Sequence, residues 1–279
     1  MQEVYYTVCY FLHGNDCAYT VGAHIGGTIE NFAKLMNEKA KKLGITDTNF
    51  VNPHGLDDEN HYTTAKSMGK MAMYAFKNTY INEAIQTKSI TINFGSFSKL
   101  LTNTNALLRT YPLADGGKTG FTNGANRCLV ASASNNGSRY MSVILGANTT
   151  NNRFSNAREI LDECFKRYTL TDISKYLNFY VKVPITKGKI EDYEKKYSEN
   201  ISIPLLEGEY ERIYIKENIV SNLEAPVKAG EYLGDIQVYI DEEVIYKKDI
   251  YLEESIEKKG IFDYMKQGLK DIFKKRDRV

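Results

Sequence analysis

The fold is decided by the stretch Asp115-Gly-Gly-Lys118-Thr119-Gly120-Phe121. Two apolar runs follow it, residues 128–133 and 140–146, and a turn-forming Asn-Asn-Gly-Ser segment joins them. This pattern predicts a β-hairpin, so the lysine is expected on a strand whose neighbours are buried. There the lysine can attract an anionic group, the threonine can hydrogen-bond it, and the next glycine lets an extended peptide approach the backbone. The alternative is an ordinary exposed lysine at a turn.

The bulk composition is that of a folded soluble protein. The chain has 279 residues, of which 42% are hydrophobic and 25% are charged, a length that fits one large domain or two ordinary ones. A net charge of +1 gives no overall field that would favour nucleic acid or acidic partners. The tyrosines are not interleaved with basic clusters, which also weakens a nucleic-acid role.

No metal or cofactor is predicted. The four cysteines are Cys9, Cys17, Cys128 and Cys164. Their spacing matches no zinc pattern, so buried free thiols are expected, with a disulfide left open. His54 and His61 lie near Asp57 and Asp58, but loop histidines beside turn aspartates are mostly structural, and a metal site there is the less favoured interpretation.

The first part of the chain alternates predicted helices with strands. Residues 3–12 are predicted as a buried helix, and residues 28–43 as an amphipathic helix capped by Thr28. Residues 45–62 are dense in turn-forming residues and predict a loop. A strand is predicted at 89–94, and a helix at roughly 154–167.

The pattern changes near residue 170. Short alternating runs with polar turns between residues 177 and 252 predict a small all-β, sandwich-like domain. Residues 255–279 then predict a basic amphipathic helix. The domain organisation is therefore an α/β (α+β) domain over 1–168, a β-rich domain over 169–254, and the helix over 255–279.

Four motifs occur in a fixed order along the first domain. They are His13-Gly-Asn15-Asp-Cys-Ala18, Asn52-Pro-His-Gly-Leu-Asp57, His61-Tyr-Thr-Thr-Ala65, and the Lys-Thr-Gly stretch. Together they resemble the D-alanyl-D-alanine carboxypeptidases, the low-molecular-mass penicillin-binding proteins that trim peptidoglycan stem peptides. The resemblance covers residues 1–168 and continues more loosely through the β-rich domain and the tail. It implies a penicillin-binding DD-peptidase fold and a serine-type enzyme without a cofactor.

The resemblance also implies roles for individual residues. Lys118 and Thr119, with Gly120 beside them, would bind the substrate's terminal carboxylate, and Arg153 would assist. The backbone N–H of Phe121 would be one oxyanion-hole donor. The resemblance further implies that Asn15 holds the substrate amide. The motifs at 52–57 and 61–65 would be structural.

Two departures from the family pattern concern catalysis. His13 stands where the family has the serine of its Ser-x-Asn motif, so either a catalytic serine was lost or His13 replaces the hydroxyl that helps to pass protons. The nucleophilic serine of Ser-x-x-Lys precedes that motif in the family, whereas the Ser-x-x-Lys strings here begin later, at Ser67, Ser96 and Ser255. We therefore expect that the chain lacks its N-terminal part, with the nucleophile and an export signal, and that it does not react with a fluorescent penicillin.

The expected partners follow from the same resemblance. They are stem peptides ending in D-Ala-D-Ala, β-lactams for the full-length protein, and an anionic membrane surface through residues 256–279, with docking of that helix on the β-rich domain as the alternative. The expected location is the cell envelope outside the cytoplasm. Two other functions stay open: a non-catalytic peptidoglycan-binding or regulatory protein on the same fold, and a serine β-lactamase.

Overall fold

A computed structural model describes residues 14–266. Within this range the chain divides into two compact units, the first ending at Arg167 and the second beginning at Tyr168. The predicted helix at residues 3–12 lies outside the described residues. Between residues 14 and 266, no helix has both the length and the apolar character needed to cross a bilayer.

The first unit combines helices with two antiparallel sheets. Its helices are α1 (Asn15–Gly26), α2 (Ile29–Lys42), α3 (Ala65–Ala75), α4 (Thr79–Gln86), α5 (Leu107–Thr110) and α6 (Thr150–Arg167). Its strands are β1 (Ser89–Phe94), β2 (Phe97–Thr102), β3 (Ala114–Thr122), β4 (Asn126–Asn135) and β5 (Ser138–Ala147). β1 and β2 form a hairpin, and β3, β4 and β5 form a sheet in that order, so β3 is an edge strand among the residues that the structure describes.

Side-chain caps explain where three of the helices begin. Thr28, Thr64 and Asn78 each accept a hydrogen bond from the backbone N–H three residues further on. Such a bond satisfies one of the N–H groups that the first turn of a helix leaves without a partner. The predicted cap at Thr28 and the predicted strand at 89–94 are confirmed, whereas β2 was not predicted.

The core of the first unit lies between the three-stranded sheet and α6. Leu129 and Ala131 on β4 and Ala157 and Leu161 on α6 are fully buried and belong to one cluster. These positions alternate along the strand and recur at helical spacing along α6, which is the pattern of a helix packed on a sheet. The predicted β-hairpin after Phe121 is confirmed as β4 and β5.

The second unit is built from strands. They are β6 (Tyr168–Asp172), β7 (Phe179–Thr186), β8 (Asp192–Tyr197), β9 (Ser202–Leu206), β10 (Ile213–Ile219), β11 (Leu223–Glu224), β12 (Tyr232–Ile240) and β13 (Glu243–Tyr251), with 3₁₀ turns at Ser174–Leu177 and Tyr210–Arg212. The sheet orders are β10-β12-β13, β11-β7-β8 and β6-β9. Val183 of β7, Ile236 of β12 and Ile250 of β13 share one buried cluster. Two sheets therefore pack against each other, as predicted for a sandwich-like unit.

Two predictions need correction. Residues 255–260 are not helical: Ile256 is buried and forms an extended bridge with Val227, and helix begins only at residue 261. Burial of one apolar side chain against a sheet thus outweighs the helical pattern there. The expectation of free thiols is wrong for Cys17, which is disulfide-bonded. Cys128 and Cys164 are free and half-buried.

Candidate functional site

Two glycines allow β3 to lie unusually close to β4 just before the lysine. Gly116 and Gly117 adopt φ values of 157° and 129°. A Cβ on Gly117 would lie 2.1 Å from the Val130 carbonyl oxygen, a distance that no real side chain tolerates. Since Val130 is also the register partner of Lys118, the glycine before the lysine determines how closely β3 can pair with β4.

Lys118 lies half-buried on the edge strand. Its Nζ donates a hydrogen bond to the Thr119 carbonyl oxygen over 2.7 Å. Burial, and secondarily the positive charge of Arg153, lower its pKa to about 8. The removal of an ammonium group from water disfavours its charged form, and a neighbouring cation adds to that effect. An anion bound beside Lys118 would therefore be stabilised by a cation that water screens only weakly.

Thr119 points away from solvent. It is 6% exposed, and its Oγ1 lies 2.6 Å from the Oγ1 of Thr104. The two hydroxyls are hydrogen-bonded, although either could donate. Thr104 was not predicted to be part of this region, and no motif marks it, because the contact joins β3 to the segment between β2 and α5.

Arg153 extends from the first turn of α6 to the same stretch of β3. Its Nη1 donates to the carbonyl oxygens of Gly120 at 3.3 Å and of Cys128 at 3.5 Å. The residue is 9% exposed, and its buried Nε has no hydrogen-bond partner in the described part of the chain. Burial, with nearby Arg127, lowers its pKa. The structure thus brings Arg153 beside Gly120 and leaves its Nε without a partner in the described residues.

Arg127 is a further cation that the sequence did not indicate. It faces Phe121 across the β3–β4 pair, and its guanidinium lies 5.2 Å from the centre of the Phe121 ring. It also donates to the Thr150 Oγ1 and the Asn148 carbonyl oxygen, each at 3.2 Å. Within residues 14–266, neither Arg127 nor Arg153 forms an ion pair with a carboxylate. A count along the hairpin register would have placed Arg127 opposite Phe121.

Asn15 is the first residue of α1, and its side chain is exposed. That side chain makes no hydrogen bond to another residue in the described range. The Asn15 side chain is therefore accessible to solvent, and the structure shows no hydrogen bond between it and Lys118. His13, the residue at the family's serine position, lies outside the described residues.

The serines of the three Ser-x-x-Lys strings occupy structural positions. Ser67 is buried, and its hydroxyl donates to Oδ1 of Asp47, while the Thr64 hydroxyl donates to Oδ2 of the same carboxylate. Ser96 lies in the turn between β1 and β2, and the Ser255 hydroxyl accepts the backbone N–H of Ala229. None of the three lies on β3 or on α6, the elements that carry the lysine and the arginine.

The loop histidines accept backbone hydrogen bonds. The Nδ1 atom of His61 accepts the N–H of Val51, and the Nδ1 atom of His54 accepts the N–H of Leu56, each at 3.3 Å. Burial lowers the pKa of His61. Across residues 14–266, no group of three or more metal-ligating side chains is present.

Known proteins match both units. A family model described as D-alanyl-D-alanine carboxypeptidase matches residues 3–149, and a model of the penicillin-binding protein 5 C-terminal domain matches residues 170–258. The chain belongs to the D-alanyl-D-alanine carboxypeptidase family. This confirms the resemblance drawn from the four motifs.

Curated relatives carry the same family name. The chain is 35% identical over 260 residues to the D-alanyl-D-alanine carboxypeptidase DacF of Bacillus subtilis, covering 92% of this chain and 67% of the relative. It is 32% identical to DacC of Escherichia coli, covering 89% of this chain and 62% of that protein. The chain thus spans about two thirds of the length of the relatives it matches.

Solved structures share the fold. Penicillin-binding protein 5 of Haemophilus influenzae matches with a TM-score of 0.69 at 24% identity, covering 90% of this chain and 73% of that one. The carboxypeptidase DacD of Francisella tularensis matches with a TM-score of 0.60 at 24% identity, covering 91% and 74%. These matches confirm the predicted α+β fold with a β-rich second part.

Proposed function

We propose that this chain supplies the carboxylate-binding side of a serine-type D-Ala-D-Ala carboxypeptidase acting on peptidoglycan stem peptides. One observation carries the proposal: Lys118 and Arg153 converge from β3 and α6 around Gly120, on a strand at the edge of its sheet. Membership of the family supports the same assignment. An edge strand can pair with an extended peptide, and the two cations give that peptide's free carboxylate a place to bind.

In the proposed binding mode, each residue from Lys118 to Phe121 has its own role in substrate binding. Lys118 and Arg153 attract the terminal carboxylate, and Thr119 holds the strand through Thr104 while offering a hydroxyl beside the lysine. Gly120 leaves the strand surface open, because it has no side chain. The Phe121 N–H is proposed as a donor to the carbonyl oxygen of the scissile bond, and Asn15 as a contact to the substrate amide.

The proposed reaction is acyl transfer. A serine attacks the carbonyl carbon between the two D-Ala residues, D-Ala leaves as an amine, and water then releases the acyl group. No serine of residues 14–266 is assigned as the nucleophile, and His13 is proposed only as the residue at the second-motif position. β-Lactams would compete for the same carboxylate-binding residues.

Ligand titration tests the proposal directly. The chain is titrated by calorimetry or NMR with an acetylated Lys-D-Ala-D-Ala tripeptide, and with the same tripeptide as its C-terminal amide. The free acid is expected to bind at least about tenfold more tightly, because the amide lacks the charge that Lys118 and Arg153 attract. Equal affinity for the two peptides would contradict the proposal.

A non-catalytic peptidoglycan-binding role is the second candidate. It is favoured by the hydrogen bond of the Ser67 hydroxyl to Asp47 and by the structural places of Ser96 and Ser255. The chain is then expected to bind the tripeptide without forming a covalent adduct with a fluorescent penicillin. An adduct mapped to Ser67 would exclude this candidate.

We also propose that the protein acts in the cell envelope and contacts an anionic membrane surface through its C-terminal segment. Residues 261–266 are helical, and Ile261, Phe262 and Met265 are 80%, 79% and 60% exposed. Exposed apolar side chains followed by a basic segment are typical of interfacial helices. Co-sedimentation with vesicles containing anionic lipid should fall when Ile261 and Phe262 are both changed to Asp. Equal sedimentation of both forms would exclude the membrane contact.

A further inference from the structure

The turn that follows the Lys-Thr-Gly-Phe stretch is held by a carboxylate from a distant loop. Thr122 Oγ1 donates to Oδ1 of Asp57 over 2.5 Å, and the Gly124 N–H donates to Oδ2 over 3.0 Å. Thr122 Oγ1 also accepts the N–H of Ala125 at 2.9 Å, closing the turn. Both oxygens of one carboxylate thus accept hydrogen bonds from the turn after Phe121, one from Thr122 and one from Gly124.

The packing around this carboxylate leaves little room for a side chain at Gly124. A Cβ at Gly124 would lie 3.0 to 3.2 Å from the three carboxyl atoms of Asp57. The two hydrogen bonds, that of Thr122 first, lower the pKa of Asp57. Donation to a carboxylate favours its ionised form, so the contact is a charge-assisted one at neutral pH.

The loop that carries Asp57 is braced by its own hydrogen bonds. Asn52 Nδ2 donates to the Leu56 carbonyl oxygen at 3.0 Å, and Asn52 Oδ1 accepts the N–H of Gly55 at 2.7 Å. Both bonds close within a few residues of Asp57. These hydrogen bonds restrain the loop, so they also restrain the position of the Asp57 carboxylate.

We propose that Asp57 is a positioning residue for the substrate site, because it fixes the turn after Phe121 and with it the backbone of Phe121. The inference rests on the proposed function, in which that backbone meets the scissile carbonyl. β3 lies at the edge of its sheet and ends at Thr122, where a strand end with one neighbour opens most easily. Asp57 ties that end to the loop at 52–57 and does not itself contact substrate.

The test is a double-mutant cycle on the binding of the acetylated Lys-D-Ala-D-Ala peptide. Asp57→Asn and Thr122→Val should each weaken binding about fivefold, and the double variant should be no weaker than either alone, because both act on the same Thr122–Asp57 hydrogen bond. Thr122→Ser keeps the hydroxyl and should retain wild-type affinity. Asp58→Asn is the matched control, since within the described residues the Asp58 carboxylate accepts a hydrogen bond only from the Asn60 N–H of its own loop. Thermal midpoints are measured for all variants.

A second measurement needs no ligand. Followed by NMR, the Gly124 amide should exchange faster and the Phe121 amide resonance should shift in Asp57→Asn, and both should stay unchanged in Asp58→Asn. An unchanged Phe121 resonance, additive losses in the cycle, or an equal loss in Asp58→Asn would overturn the inference. If the wild-type chain does not bind the peptide, the proposed function fails, and the NMR result alone decides whether Asp57 positions the strand end.

Discussion

Two strand lysines in the two units have opposite surroundings. Lys118 on β3 is half-buried beside Arg153, and its pKa is lowered to about 8. Lys182 on β7 is exposed between Asp192 and Glu194, which hold its pKa above its ordinary value. In the second unit, two carboxylates of the same fold thus neutralise the charge of Lys182. Around Gly120, the half-buried Lys118 and the buried Arg153 lie next to each other, an arrangement that costs free energy and that a bound carboxylate would relieve.

The largest effect is expected from Gly117→Ala, which breaks the strand that carries Lys118. The added Cβ would meet the Val130 carbonyl oxygen at 2.1 Å, at a φ of 129° that alanine does not adopt. We expect destabilisation of at least about 3 kcal/mol, measured by urea unfolding, together with loss of peptide binding.

Gly120→Ala is the matched control on the same strand. Its Cβ would lie 3.7 Å from the Cβ of Cys128, an ordinary contact, so stability should stay near that of the wild type. Peptide affinity should nevertheless fall, because the methyl group would stand on the proposed peptide path. Equal destabilisation by both substitutions would show that the strand does not depend on the close approach at Gly117.

Lys118→Ala should cause the next largest effect. Loss of one charge-assisted contact in a partly buried site is expected to weaken binding of the free-acid tripeptide about 30-fold. Binding of the amide peptide should hardly change. The measurement is the ratio of the two affinities, and a ratio that Lys118→Ala leaves unchanged would remove the lysine from the carboxylate site.

The pKa of Lys118 predicts a pH dependence. Below about pH 8 the amine is charged and attracts the carboxylate, so affinity should fall as pH rises from 7 to 10. In the unfolded chain the pKa of Lys118 has its ordinary value of 10.5, so between about pH 8 and that value the unfolded state binds more protons than the folded state. Lys118 therefore makes the free energy of unfolding rise as the pH rises through this range. Lys118→Arg should extend tight binding to higher pH. Affinity that is flat from pH 7 to 10 in the wild type would count against a role for the lysine charge.

The smallest effect is expected from Lys182→Ala in the second unit. An exposed ion pair contributes little, because water and salt screen it, so the thermal midpoint should fall by about 1 °C or less. Peptide affinity should equal that of the wild type. A loss of affinity comparable to that of Lys118→Ala would mean that the contrast between the two lysines does not reflect function.

Much of the architecture could be predicted because local patterns carry it. The cap at Thr28, the strand at 89–94 and the hairpin after Phe121 follow from turn residues and apolar spacing. The start of the C-terminal helix was misplaced for the opposite reason. The predicted helix included residues 255–260, but burial of Ile256 and its bridge to Val227 gave this stretch an extended conformation.

The site was predictable only in part. The four motifs indicated the family, and β3 carries the Lys-Thr-Gly stretch on a strand as expected. Thr104, Arg127 and Asp57 were not indicated as neighbours of that strand, because each reaches it through a contact between separate elements. The assigned roles of Lys118 and Arg153 remain predictions that the titrations above test.

By itself, the sequence determined that residues 115–121 lie on a glycine-rich strand before a hairpin, and that the chain is a D-alanyl-D-alanine carboxypeptidase relative. Both conclusions follow from short motifs and from the residue spacing within them. Only the tertiary structure decided that Arg153 lies beside Gly120, and that Asp57, 65 residues before Thr122, holds the end of the strand. The spacing of residues along the chain does not predict such contacts, because the packing of distant elements sets the distance between their side chains.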